Sequence, residues 1–139
     1  EYDFDIHEWD DDDPVDVCWT IGKRLWQDDM PTVQMLGRWQ PWHEGHQALL
    51  DRCLEKAPQV DIQIRTMPWG DNNPFSVHEV QTNLRNKLAH LAGIVSISIV
   101  PNIVNITYGR KVGYTIEQEH FEKEIENISA TKIRNNTTD

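Results

Sequence analysis

Residues 37–46, Gly-Arg-Trp-Gln-Pro-Trp-His-Glu-Gly-His, join two segments of different periodicity. Before them, Thr32-Val33-Gln34-Met35-Leu36 reads as a buried strand. After them, Leu49, Leu50, Cys53, Leu54 and Ala57 keep helical spacing within Gln47 to Ala57. A strand passing through a glycine-bearing turn into a helix implies an α/β arrangement. It also sets a helix N-terminus, with its N–H groups and positive dipole end, beside the turn. Such places bind phosphate. His43 and His46, three residues apart, straddle the helix start and can reach one point beside it, while Gly45 leaves room for a ligand to approach the backbone.

This stretch resembles the GRFQPFHxGH signature of the HxGH nucleotidylyltransferases, an α/β superfamily that includes nicotinamide-mononucleotide adenylyltransferases and glycerol-3-phosphate cytidylyltransferases. A second segment, Ile128-Ser129-Ala130-Thr131-Lys132-Ile133-Arg134, is similar to its ISxTxxR motif. The resemblance covers residues 32 to 134. It implies transfer of a nucleoside monophosphate unit, AMP or CMP, from ATP or CTP to a small phosphorylated acceptor, with release of pyrophosphate. Carried over by position, His43, His46 and Arg134 are the catalytic candidates. Gly37, Arg38, Gly45, Ser129 and Thr131 are the nucleotide-binding candidates. Magnesium is expected to arrive with the triphosphate, since most of its ligands are then phosphate and water; the sequence offers no dedicated metal cage.

Two features pull the base preference apart. Asn73-Pro74-Phe75 resembles the adenylyltransferase branch, as does the first motif. The compact length and the ISATKIR ending are closer to the cytidylyltransferases, and Arg65-Thr66 stands where a Gly-Ser is usual. Only five residues follow Arg134, so the second phosphate-binding helix is expected to be completed by a second copy, as a homodimer, or to grip weakly.

Charge divides the 139 residues unevenly. Residues 1–30 hold 11 of the 23 acids and 2 of the 13 basic residues, a balance of −9 that leaves −1 for the rest. The first thirty residues therefore read as an acidic extension or linker, with Asp10-Asp11-Asp12-Asp13 solvated, and 31–139 as the nucleotidylyltransferase domain. An acidic chain without a basic stripe argues against nucleic acid as a partner. No run is long enough to span a membrane and no leader pattern opens the chain, so a soluble cytoplasmic protein is expected. Cys53 falls on an apolar helix face and Cys18 in an apolar patch, so both read as buried thiols.

In order along the chain, Val17 to Ile21 reads as a short strand or a segment packing on the domain. Val60 to Thr66 alternates as a second strand. Ser76 with Glu79 signals a capped helix whose buried face is Val80, Leu84, Leu88 and Leu91, ended by Gly93. Val95 to Pro101 is a third strand and Ile103 to Gly109 a fourth; Glu117 to Glu126 is a short helix or ordered loop. The alternation predicts a Rossmann-like, doubly wound parallel sheet of four to five strands with helices on both faces and the site at the strand C-terminal ends. Arg65, Trp69 and Arg110 fall near that edge and are candidate substrate contacts. Trp39 and Trp42 read as core or site wall.

Two rivals remain at the sequence level. A zinc hydrolase would use the same histidines, although HEGH is one residue short of the zinc-protease spacing and lacks a third ligand. A nucleotide-sensing module would keep the site without turnover.

Overall fold

The structure is a computed structural model that describes residues 14–70, 73–110 and 113–119. Its elements run α1 (Pro14–Leu25), β1 (Thr32–Gly37), α2 (Glu44–Lys56), β2 (Gln59–Arg65), α3 (Val77–Lys87), a 3-10 turn (Ala89–Leu91) and β3 (Val95–Val100). The three strands form one parallel sheet in the order β1-β2-β3. This is an α/β fold of Rossmann-like type.

Strand register separates two unlike faces. Val33 pairs with Val60, Met35 with Ile62, and Ile62 in turn with Ile97, so alternate residues line one apolar face. Leu50 and Cys53 of α2 and Val80 and Leu84 of α3 join Met35, Val60, Ile62 and Ile64 in a single core cluster. With strands in sequential order, right-handed crossovers place α2 and α3 on that same face. The opposite face carries Gln34, Asp61, Gln63 and Ser98, joined to one another: Gln34 Nε2 donates to Gln63, Gln63 Nε2 to Asp61, and Ser98 Oγ to Asp61. Helices on both faces were expected. Among the described residues they cover one, and the alternating strands match that one-sided cover, since strands buried on both faces are apolar throughout.

The expected fourth strand is also corrected. Residues 103–109 hold no strand; Pro101 follows β3 at once, Ile103 N–H bonds back to the Pro101 carbonyl, and Val104, Ile106 and Tyr108 are exposed. Val17 to Ile21 is helical and lies within α1, not in a strand. This helix falls in the stretch read as an acidic extension, yet its Trp19 packs against the core and donates to the Arg85 carbonyl at 2.9 Å. Gly22 lets α1 approach the turn before β3, because a Cβ there would lie 2.6 Å from Gly93 N. Buried Gln59 fixes the turn that follows, bonding both the N–H and the carbonyl of Gln27. Cys18 is exposed on α1, against expectation, whereas Cys53 is buried.

The capped helix at 76–87 forms as expected. Ser76 Oγ accepts from Glu79 N, the Glu79 carboxylate accepts from Ser76 N, and Val80, Leu84 and Leu88 are buried. Past β3, the chain returns to α2, where Glu119 pairs with Arg52 at 2.8 Å and both Glu117 and Glu119 pair with Lys56. Residues 113–119 are not helical, and the rest of the expected helix or loop to Glu126 lies outside the described residues. The Asp10–Asp13 run does too. No helix among the described residues is long and apolar enough to cross a membrane.

Candidate active site

The turn between β1 and α2 is held by its two tryptophans. Trp39 is buried, with φ at 53°, and its indole Nε1 donates to the Gln63 carbonyl of β2 at 3.1 Å. The indole lies over Gly37, where a Cβ would fall 2.7 Å from the ring. Close packing by Trp39 therefore accounts for the glycine at 37. Trp42 is buried beside Trp39, with ring centroids 5.3 Å apart. Both expectations of a core or wall role are met.

Against this wall, the two histidines cap α2. His43 is the N-cap residue, in extended backbone conformation, and its Nδ1 accepts from Gly45 N at 3.0 Å. His46 reaches back, its Nδ1 accepting from His43 N at 3.2 Å. The imidazoles thus take the places that Ser and Glu take in an ordinary capping box. Their rings stack, with centroids 3.6 Å apart, and His46 meets Trp39 edge-on at 4.8 Å.

This geometry selects the protonation state. An Nδ1 that accepts an N–H cannot carry a proton, so each ring is the neutral tautomer with its hydrogen on Nε2. Burial, reinforced by the neighbouring His43, holds His46 down at a pKa of about 3. His43 is also lowered by burial, with Glu44 opposing. Near neutral pH the site therefore presents two uncharged Nε2–H donors side by side at a helix N-terminus.

The sequence candidates divide into four groups. Gly37, Arg38, His43, Gly45 and His46 come together in the β1–α2 turn. Arg38 Nη1 donates to Asn73 Oδ1 at 3.2 Å, which ties this turn to the loop after β2 where Trp69 lies exposed. Arg65 ends β2 on the same edge, its Nε donating to Asn102 at 2.8 Å. Arg110 is exposed in the chain after β3, and no hydrogen bond or ion pair joins it to the others among the described residues. Ser129, Thr131 and Arg134 lie outside the described residues. Among those described, no group of three His, Cys, Asp or Glu stands ready to hold a metal.

Gln40 was not singled out in the sequence, and Asn73 entered only as the first residue of Asn73-Pro74-Phe75. Gln40 is buried and its amide bonds Phe75 twice, donating to the carbonyl at 2.8 Å and accepting from N at 3.0 Å. Asn73, also buried, pairs with Gly70 through its backbone and donates to the Pro68 carbonyl. A buried amide between two loops leaves no periodic trace; position inside the first motif was the only signal for Gln40.

Fold and loop together define an α/β protein with a His-x-Gly-His turn at the start of a helix, and the chain resembles the nucleotidylyltransferases. In particular, it is 40% identical over 58 residues to the nicotinamide-nucleotide adenylyltransferase of Methanosphaerula palustris, a match covering 40% of this chain and 34% of that protein. The chain thus aligns with about a third of the length of this curated relative. A solved structure of a bifunctional NMN adenylyltransferase/ADP ribose pyrophosphatase from Francisella tularensis, with AMP and a manganese ion, superposes with a TM-score of 0.42. It is 28% identical, and the match covers 52% of this chain and 22% of that one. No protein-family profile matches the chain.

Proposed function

We propose that this chain is a nucleotidylyltransferase of the adenylyl type, joining AMP from ATP to a small phosphorylated acceptor. The observation that carries the reading is the pair of neutral Nε2–H donors of His43 and His46 at the N-terminus of α2, with both Nδ1 atoms fixed by backbone N–H groups. The named relative of Methanosphaerula palustris favours adenylyl over cytidylyl transfer.

In this reaction an acceptor phosphate oxygen forms a bond to the α-phosphorus while the bond to the bridging oxygen breaks and pyrophosphate leaves. Positioning and charge stabilisation supply most of the rate. The two Nε2–H groups donate to phosphate oxygens as negative charge grows on them, and the helix dipole acts in the same direction. Being neutral and already oriented, they need neither a proton transfer nor a reorganisation to do so. Ser129, Thr131 and Arg134 are proposed to hold the β- and γ-phosphates, and magnesium to enter with the nucleotide, neutralising part of its charge.

The test is pyrophosphate release with each of four ribonucleoside triphosphates and a panel of phosphorylated acceptors, in magnesium. ATP should be used preferentially. Replacing His46 by Gln keeps an acceptor for the His43 N–H but changes the donor, and should lower turnover by about 10²–10³, the usual effect of losing one such contact. Full activity in His46→Gln, or no triphosphate binding at millimolar concentration, would overturn the proposal.

A further inference from the structure

Trp69 is unlike every other described tryptophan. Trp39 and Trp42 are buried and Trp19 and Trp26 half-buried, but Trp69 is 81% exposed. Exposure of a large indole usually goes with a swinging side chain. Here the ring is held. Its Nε1 donates to the Pro74 carbonyl at 2.9 Å. The residues on either side are fixed as well: Asn73 Nδ2 donates to the Pro68 carbonyl, and Gly70 and Asn73 exchange backbone hydrogen bonds. Asn73 is in turn bonded by Arg38, and Phe75 by Gln40, both from the histidine-bearing turn. Among the described residues no other ring stacks on the indole.

We infer that Trp69 is a stacking platform for the aromatic base of a nucleotide whose phosphates occupy the β1–α2 turn. The inference rests on the nucleotide-binding part of the proposed function and adds the residue that reads the base. Three physical points support it. The indole lies on the loop leaving β2, at the C-terminal edge of a parallel sheet, where ligands of such sheets bind. Its orientation is set before any ligand arrives, so stacking costs little side-chain entropy. Its connection to Arg38 and Gln40 couples ring and phosphate turn through hydrogen bonds, which fixes their separation.

Binding measurements on the full chain, in magnesium, can test this with two matched pairs: ATP against inorganic tripolyphosphate, and a nucleoside 5′-monophosphate against ribose 5-phosphate. Each pair differs by a base, the first also by a ribose. Trp69→Ala should weaken the base-bearing member of one pair about tenfold, as expected for one base–aromatic contact, and leave tripolyphosphate and ribose 5-phosphate unchanged. The pair affected identifies whether the base belongs to the triphosphate or to the acceptor. Trp69→Phe, which keeps a ring but loses the Nε1 donor, should retain most of the affinity. If tripolyphosphate binds as before and neither base-bearing ligand weakens by more than twofold in Trp69→Ala, the platform is refuted alone. If tripolyphosphate, ATP and the monophosphate all fail to bind the parent, the proposed function falls and takes the platform with it.

Discussion

Two helices in this protein begin with the same device made from different chemistry. At α3, a Ser hydroxyl and a Glu carboxylate exchange hydrogen bonds with backbone N–H groups at an exposed surface. At α2, two imidazoles make the equivalent exchange while half-buried against Trp39 and Trp42. The first arrangement does nothing but end a helix. The second leaves each ring with an outward N–H and makes the helix start depend on the rings staying neutral. A cap that also serves as a donor pair has acquired a sensitivity to protonation of its rings.

Acidification gives the largest expected difference between the two. Because the pKa of His46 in the folded protein lies below its unfolded value near 6.5, its contribution is fully present above pH 6.5 and declines as the pH falls towards about 3. Between pH 6.5 and 5 the loss should reach about 1.6 kcal/mol. Denaturant midpoints across that range measure it, and His46→Gln should flatten the slope. A parent protein with equal midpoints at pH 6.5 and 5 would contradict the neutral, buried assignment.

Ser76→Ala provides the matched control at the other helix. It should cost about 1 kcal/mol, as N-cap truncations do, and by the same amount at pH 6.5 and at pH 5. A pH-dependent cost would show that the two caps do not differ as argued. His43→Asn gives the smallest change in stability, because an Asn oxygen caps as well as any side chain; a change within about 0.5 kcal/mol is expected from denaturant unfolding. Tripolyphosphate binding, measured on the same variant, should nevertheless weaken, since the Nε2–H is gone. That pairing separates holding the helix from holding a ligand.

Much of this was readable in the chain. Ser76 and Glu79 announced α3 because capping is local, and Val60, Ile62 and Ile64 announced β2 because alternation survives in sequence. The β1–α2 turn was legible through its motif. Helix α1 was not: its Val17-Cys18-Trp19-Thr20-Ile21 run has strand-like composition, while the better signals, Pro14 at the start, Asp16 in the first turn and Lys23 and Arg24 in the last, are weak individually. Ile103 to Gly109 misled in the opposite way: its β-branched residues have strand composition, yet Pro101 breaks the chain after β3, Ile103 N–H bonds back to the Pro101 carbonyl and Val104 and Ile106 stay exposed, so composition alone gave no ladder. Within the site, the histidines could be located but not their tautomers, which depend on a particular backbone geometry. The clamp from Gln40 to Phe75 joins residues 35 apart and exists only once the sheet has brought two loops together.

The row formed by Gln34, Gln63, Asp61 and Ser98 has a consequence for assembly. Its amides, carboxylate and hydroxyl are bonded to one another, and an apolar layer laid over them would strip water from the polar valences those bonds leave over, so burial of this face brings little gain.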